Sequence, residues 1–359
     1  MKSDQRYISH TRNSPISLLF FGAGAIGSYI GGGLLAANHK IVFLEHPAPA
    51  EKLRQQGMTW SNATISHHFS NLIVADNLQD ALAQGPFDAA IFALKAYDTS
   101  SALKDLSAFK EQLPPIICFQ NGVENENTLR QILPHQGVIA GVITSAIGRL
   151  DIGKIVVEKE RGIGIADTHP VSQKISSALT EAGFNLRLYA NERSLKWSKL
   201  ITNLLANASC AILDMSPAQV LSNPELYRLE IEQLRETLRV MRALNIKVEN
   251  LPATPVRVLA AAVHYLHPSL SQPLLSRIAG SGRGAKMPSF HIDLYSKKGK
   301  TEVDFLNGAV VRFGKQVSIP TPINFLLNNT LLGITLGKID PNTFLHKPEA
   351  LLSLWRSIN

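Results

Sequence analysis

Residues 16–37 read ISLLFFGAGAIGSYIGGGLLAA, 22 positions without a charged side chain. The length suits a membrane span, which takes about 20 mostly apolar residues. The basic residues Lys2, Arg6 and Arg12 ahead of it suit the start of a secretory signal. The six glycines inside the stretch argue against both readings. They begin as Gly22-x-Gly24-x-x-Gly27, directly behind the apolar run Leu18–Phe21. A strand, this spacing and then a helix form a dinucleotide-binding turn. Gly22 permits the tight turn, Gly24 lets the backbone approach a pyrophosphate, and Gly27 packs helix against strand. Ala23, Ala25 and Ile26 complete the loop and the helix N-terminus, whose free N–H groups face phosphate. A second strand, Ile41–Leu44, ends at Glu45, near the offset of a ribose-binding carboxylate. A membrane span explains neither the division into strand and turn nor that acidic end.

Working outward, 359 residues exceed one ordinary core and predict two domains. With 45% hydrophobic and 18% charged residues, the chain is an ordinary globular protein rather than a disordered one. No other long uncharged segment offers a membrane span. The two cysteines, Cys118 and Cys210, sit in apolar contexts. They suit a reducing, cytoplasmic compartment and exclude a disulfide framework or a cysteine-based zinc site, so no metal is expected. The net charge of +8 suits a small anionic substrate and cofactor. The one dense basic run, Lys297-Lys298-Gly299-Lys300, lacks interleaved aromatics, and nucleic acid is not expected as a partner.

Residues 1–13 read as a loose polar tail. Strands are expected at Ser17–Phe21, Ile41–Leu44, Phe87–Leu94, Pro115–Phe119 and Val138–Thr144. Helical patterns at Ala25–Ala37, Ala50–Gln56, Asp98–Glu111 and Glu124–Leu133 separate most of them, which predicts a parallel sheet covered on both faces. Thr59–Val74 reads as an inserted hairpin, and Ile155–Ile165 as another strand pair on the sheet's far side. Beyond Tyr189 only helices are expected: Arg193–Leu213, Pro224–Leu244, Thr254–His267, Glu302–Lys315 and Thr321–Leu336. Arg277–Lys300, rich in glycine, reads largely as loop. The fold class is therefore α/β: a Rossmann-type, doubly wound, mainly parallel sheet over 14–190, then an all-helical domain over 191–359.

In open parallel sheets ligands bind beyond the carboxyl ends of the strands. Lys95 and Asn121 fall there, in FALKA and QNG. A lysine after a buried strand is also an ordinary surface residue, and Asn-Gly an ordinary turn. In ERSLKWSKLITNLLANA, Lys199, Asn203 and Asn207 recur every four residues and so share one face of the predicted helix. Polar groups amid so much apolar surface need partners, either a neighbouring helix or a polar ligand. Glu302 and Asp304 open a later helix, where a carboxylate is commonly a dipole partner. Ser289, in KMPSF, has the local features of a helix cap.

With these pieces in order, the chain resembles the ketopantoate reductase (2-dehydropantoate 2-reductase) family. FGAGAIG, FALKA, QNGVEN, LKWSKLITNLLANA, MPSF and TEVDFLNG carry the likeness. The resemblance implies a 6-phosphogluconate-dehydrogenase-like two-domain plan and reduction of a keto acid in pantothenate and coenzyme A biosynthesis. It makes Lys199 the general acid and Glu302 an orienting carboxylate. Asn203, Asn207 and Ser289 then hold the substrate, with Lys95 and Asn121 beside cofactor and substrate. The implied cofactor is NADP(H). This chain departs from the family by placing Glu45-His46 where an arginine usually meets the 2′-phosphate, so NAD(H) is the alternative unless Lys52 or Arg54 compensates. The segment before Thr301, SKKGK, is a residue longer than the family's pattern, and the chain from Gly337 onward falls outside the matched motifs.

Other readings of the same residues are a related keto acid, glycerol-phosphate or opine dehydrogenase, and a non-catalytic dinucleotide-binding redox sensor. Oligomeric state is open, a homodimer through the helical half being the form considered.

Overall fold

The structure, a computed structural model, describes residues 14–133, 137–273, 287–296 and 299–358. The expected tail, 1–13, residues 277–286 of the expected loop and the pair Lys297-Lys298 lie outside the described residues.

Strand β1 (Ser17–Phe21) alternates its side chains between two cores, Leu18 and Phe20 on one face and Leu19 and Phe21 on the other. A strand apolar on both faces belongs inside a sheet with helices above and below. It pairs in parallel with β2 (Lys40–Leu44) and with β6 (Ala89–Phe92). The full order is β12-β11-β8-β7-β6-β1-β2-β5. The others are β5 (Ile73–Ala75), β7 (Ile116–Cys118), β8 (Val138–Ile143), β11 (Ile163–Ala166) and β12 (Leu186–Tyr189). Only the β11–β8 pairing is antiparallel.

The hairpin expected within Thr59–Val74 is present as β3 (Met58–Ser61) and β4 (Ser66–Phe69). It belongs to a second, four-stranded sheet, β4-β3-β10-β9, completed by β9 (Ala146–Asp151) and β10 (Lys154–Lys159). The expected strand pair in Ile155–Ile165 is thus corrected: β10 joins this second sheet, while β11 joins the main one. Helix α1 (Ala25–Ala36) lies between the sheets, and this explains the second glycine cluster. A Cβ at Gly31 would come within 2.6 Å of Phe43, at Gly32 within 2.6 Å of Trp60, and at Gly33 within 2.3 Å of Phe184. The uncharged stretch is hydrophobic all round because it is buried all round.

Helices α2 (Pro47–Gln56), α3 (Leu78–Ala83), α4 (Thr99–Ser107), α5 (Asn125–Ile132) and α6 (Pro170–Glu181) belong to the sheet half. Beyond β12 the chain is helical, as expected, from α7 (Glu192–Leu204) onward. The single helix expected over Arg193–Leu213 is corrected. It breaks after Leu204 and restarts as α8 (Ala208–Leu213), with Ala206 at φ 49°. A carboxylate remote in sequence stabilises the break: Glu230, on α10 (Pro224–Ala243), accepts the Ala206 N–H at 2.6 Å and the Ser209 hydroxyl. Gln233 Nε2 covers the freed Leu204 carbonyl at 3.3 Å. The remaining helices are α9 (Pro217–Ser222), α11 (Val256–Tyr265), α12 (Ser289–Leu294), α13 (Val303–Gln316), α14 (Pro322–Thr335) and α15 (Pro348–Ser357). Among the described residues no helix is long and apolar enough to cross a membrane.

Candidate active site

The carboxyl ends of β1, β2, β6, β7 and β8 open onto one cleft of about 2010 Å³, closed on its far side by the helical half. Ligand pockets run to about 1,000 Å³, so the cleft has room for a dinucleotide together with a second molecule.

At one end is the glycine turn. Gly22 has φ 95°, a conformation that side chains rarely adopt. A Cβ on Gly27 would lie 2.0 Å from the Gly22 carbonyl oxygen, so the helix sits directly on the turn. A Cβ on Gly24 would meet nothing within 4 Å. Gly24, Ala25 and Ile26 border the cleft, and the first turn of α1 has N–H groups with no intrahelical acceptor. These are the features a pyrophosphate needs. Ala23 and Gly27 are buried behind the turn rather than on the cleft lining. Glu45 ends β2 here and accepts the Ala23 N–H on Oε1 at 2.5 Å.

At the other end a polar line crosses from the sheet to the helices. Glu302, 1% exposed, accepts the Ala96 N–H on Oε1 at 3.0 Å. Its Oε2 meets Lys95 Nζ at 3.3 Å and accepts from Asn121 Nδ2 at 3.4 Å. Asn203 Nδ2 donates to Asn121 Oδ1 at 3.0 Å. Asn207 Nδ2 donates to the Asn203 carbonyl at 2.9 Å and to Ser289 Oγ at 3.3 Å, and Asn207 Oδ1 accepts the Phe290 N–H at 3.0 Å. Lys95, Asn121, Asn203, Asn207, Ser289 and Glu302 therefore form one network. Lys199, half-buried on α7, lines the same cleft.

Three of these residues sit differently from the sequence expectation. Asn207 does not share a helix face with Lys199 and Asn203; it stands at the N-cap position of α8 and reaches Asn203 across the break. Ser289 makes no cap hydrogen bond, the N-cap position of α12 being Pro288. Glu302 does hold the N-cap position of α13 but turns its carboxylate toward the sheet. The dipole role passes to Asp304, in the first turn, which also pairs with Arg312 at 3.1 Å.

Sequence reasoning missed two groups. Asp293 accepts from Lys95 Nζ at 2.7 Å and gives that ammonium a second carboxylate. Burial pulls the Lys95 pKa down, but Glu302 and Asp293 outweigh it, and the pKa stands above the usual lysine range. The i+4 spacing of Asp293 from Ser289 was the available signal, visible only once α12 is known to be a helix. The second is Lys196, three residues before Lys199 and wholly interior. It meets Glu126 Oε1 at 2.7 Å and donates to the Gln120 carbonyl at 2.5 Å. Burial opposes its charge and Glu126 restores it, leaving the pKa raised. Of the two lysines in LKWSKL, one thus pins α7 to the edge of β7 and the other faces the cleft.

A dinucleotide-type sheet, its glycine turn and a helical partner that lends a lysine to the same cleft make up the architecture of a nucleotide-dependent oxidoreductase. The family profile described as ketopantoate reductase PanE/ApbA matches residues 18–169, and its C-terminal counterpart matches 191–334. The chain belongs to the ketopantoate reductase family, whose members are NAD(P)-dependent oxidoreductases. The 2-dehydropantoate 2-reductase of Archaeoglobus fulgidus is 26% identical over 322 residues, covering 88% of this chain and 97% of that protein. That of Pyrococcus horikoshii is 23% identical over 317 residues, covering 87% and 95%. Among solved structures, a PanE/ApbA family ketopantoate reductase from Ralstonia eutropha superposes with a TM-score of 0.75 at 24% identity, covering 90% of this chain and 99% of that one. D-mandelate dehydrogenase in complex with NADH and anilino(oxo)acetate gives 0.73 at 19%, with the same coverages.

Proposed function

We propose that this protein reduces 2-dehydropantoate to pantoate, with residues 14–190 holding NAD(P)H and 191–359 completing the substrate site. The observation that carries the reading is the unbroken polar line from Lys95 to Ser289, lying with Lys199 in the cleft that the glycine turn opens. When bound, the reduced nicotinamide supplies a hydride, which goes to the keto carbon. Lys199 gives a proton to the carbonyl oxygen as charge develops there, so the keto acid becomes a hydroxy acid. Positioned acids of this kind are worth about 10²–10⁴-fold, and an ammonium also stabilises the nascent alkoxide. Glu302 accepts a hydrogen bond from the substrate hydroxyl. Asn203, Asn207 and Ser289 hold the hydroxyl and carboxylate, while Lys95 and Asn121 keep Glu302 in place. Gly22, Ala23, Gly24, Ala25, Ile26 and Gly27 form the pyrophosphate cradle.

A second reading, reduction of a bulkier 2-keto acid, is favoured by the apolar side chains Leu205, Leu259, Ala262 and Ile292 on the same cleft. Following loss of absorbance at 340 nm with 2-dehydropantoate, phenylglyoxylate and branched aliphatic 2-keto acids separates the two. Turnover confined to 2-dehydropantoate supports the first, preference for the aromatic acid the second. No oxidation with any of them rejects both.

A further inference from the structure

We infer that Glu45 and its surroundings select NADH and reject NADPH. The inference rests on the reductase reading for the presence of a dinucleotide, and it adds which one. The 2′-position of the adenosine ribose comes to the end of β2 in this fold, so the charge there decides whether a 2′-phosphate is accepted. Here Glu45 occupies that end. One carboxylate oxygen is anchored on the glycine turn through the Ala23 N–H at 2.5 Å, which holds the side chain against the cleft. The other oxygen accepts the His46 N–H at 3.3 Å, a long bond that leaves lone pairs for a ribose hydroxyl. A second carboxylate, Asp76, lines the cleft directly after the neighbouring strand β5, and the Glu45 N–H bonds the Ala75 carbonyl at 3.0 Å beside it. A phosphate placed here meets the Glu45 charge, while Asp76 beside it is paired with Arg54.

The cations on α2, the helix next to Glu45, are already paired. Arg54 bonds Asp76 at 2.8 Å and the Val74 carbonyl at 3.1 Å, holding the guanidinium along β5. Lys52 bonds both oxygens of Asp151, at 2.7 and 2.8 Å, out on the second sheet. Exposed pairs of this kind are individually weak. Discrimination therefore resides in the Glu45 charge. Lys95 is held between Asp293 and Glu302. Lys104 lines the cleft from α4, the helix after β6, and β6 stands two places from β2 in the sheet order. Among the described residues, no lysine or arginine lining the cleft comes from β2, α2 or β5.

Calorimetric titration of the full chain with NADH and NADPH at the same ionic strength tests this. The expected NADH Kd is about a hundredfold below the NADPH Kd, the ratio that an opposed charge contact supplies. Glu45→Gln keeps an oxygen for the Ala23 N–H but removes the charge. It should tighten NADPH, weaken NADH severalfold, and bring the ratio within about tenfold. Asp76→Asn, which also loosens Arg54, should move the ratio the same way by less. Equal affinities or an NADPH preference in the unmodified chain overturn the inference and leave the reductase reading standing, as does a ratio unmoved by Glu45→Gln. Binding of neither dinucleotide overturns both.

Discussion

Replacing Glu302 by glutamine tests the site at its most constrained point. The carboxylate is buried and serves three donors: Ala96 N–H on one oxygen, Lys95 Nζ and Asn121 Nδ2 on the other. An amide has one oxygen, so one side of the group must present N–H to N–H. If the oxygen faces Lys95, the Ala96 N–H loses its acceptor, at about 1–3 kcal/mol for a buried unsatisfied donor. The bond to Lys95 also drops from ion-to-ion to ion-to-neutral, about 1 kcal/mol more. Lys95 keeps Asp293, so no ammonium is stranded. The sum is about 2–4 kcal/mol of stability, read as a lower urea midpoint. The same change removes the charged acceptor proposed for the substrate hydroxyl, worth about 1.5–3 kcal/mol, or roughly 10- to 150-fold in kcat/KM. NADH affinity, set at the other end of the cleft, should hardly move. A midpoint near that of the unmodified protein, with kcat/KM within twofold, would refute the hydrogen-bond assignment and the role together.

Lys199→Ala should lower kcat by about a hundredfold or more, the scale of a lost general acid, with cofactor Kd unchanged; full residual turnover would reject that role. Gly24→Ala has open space for its methyl group, so its melting temperature should match the unmodified protein while dinucleotide affinity falls. If affinity survives, the pyrophosphate does not lie over this residue. Glu126→Ala leaves the Lys196 ammonium buried with the Gln120 carbonyl as its remaining neighbour in the pair. Breaking such a pair costs about 3–5 kcal/mol in chemical denaturation; a loss below 1 kcal/mol would show that the ion pair is not formed.

The main sheet was legible because its information is local. Alternating apolar runs, a glycine turn and an acidic strand end all lie within thirty residues of one another. The network around Lys95 and Glu302 was legible only in part, since each member sits at an element's end where a bland role was equally open. What escaped depends on partners remote in sequence. The helix break at Ala206 follows from Glu230, and nothing in LITNLLANA signals it. Gly31, Gly32 and Gly33 look like flexible or membrane-type positions until Trp60 and Phe184 are folded against them. The interior role of Lys196, as against the cleft position of Lys199, needed Glu126 and Gln120 on the other side of α7.

Central to the proposed reaction is a cleft that holds the pyrophosphate at the glycine turn and so brings the reduced nicotinamide against a keto acid beside Lys199. Mixing the protein with NADH dideuterated at C4 and 2-dehydropantoate in a single turnover, then analysing the product by mass spectrometry, tests it directly. The expected product is pantoate carrying one deuterium at C2, formed much more slowly by Lys199→Ala. Tight NADH binding with no deuterium transferred to this or any other 2-keto acid would contradict it.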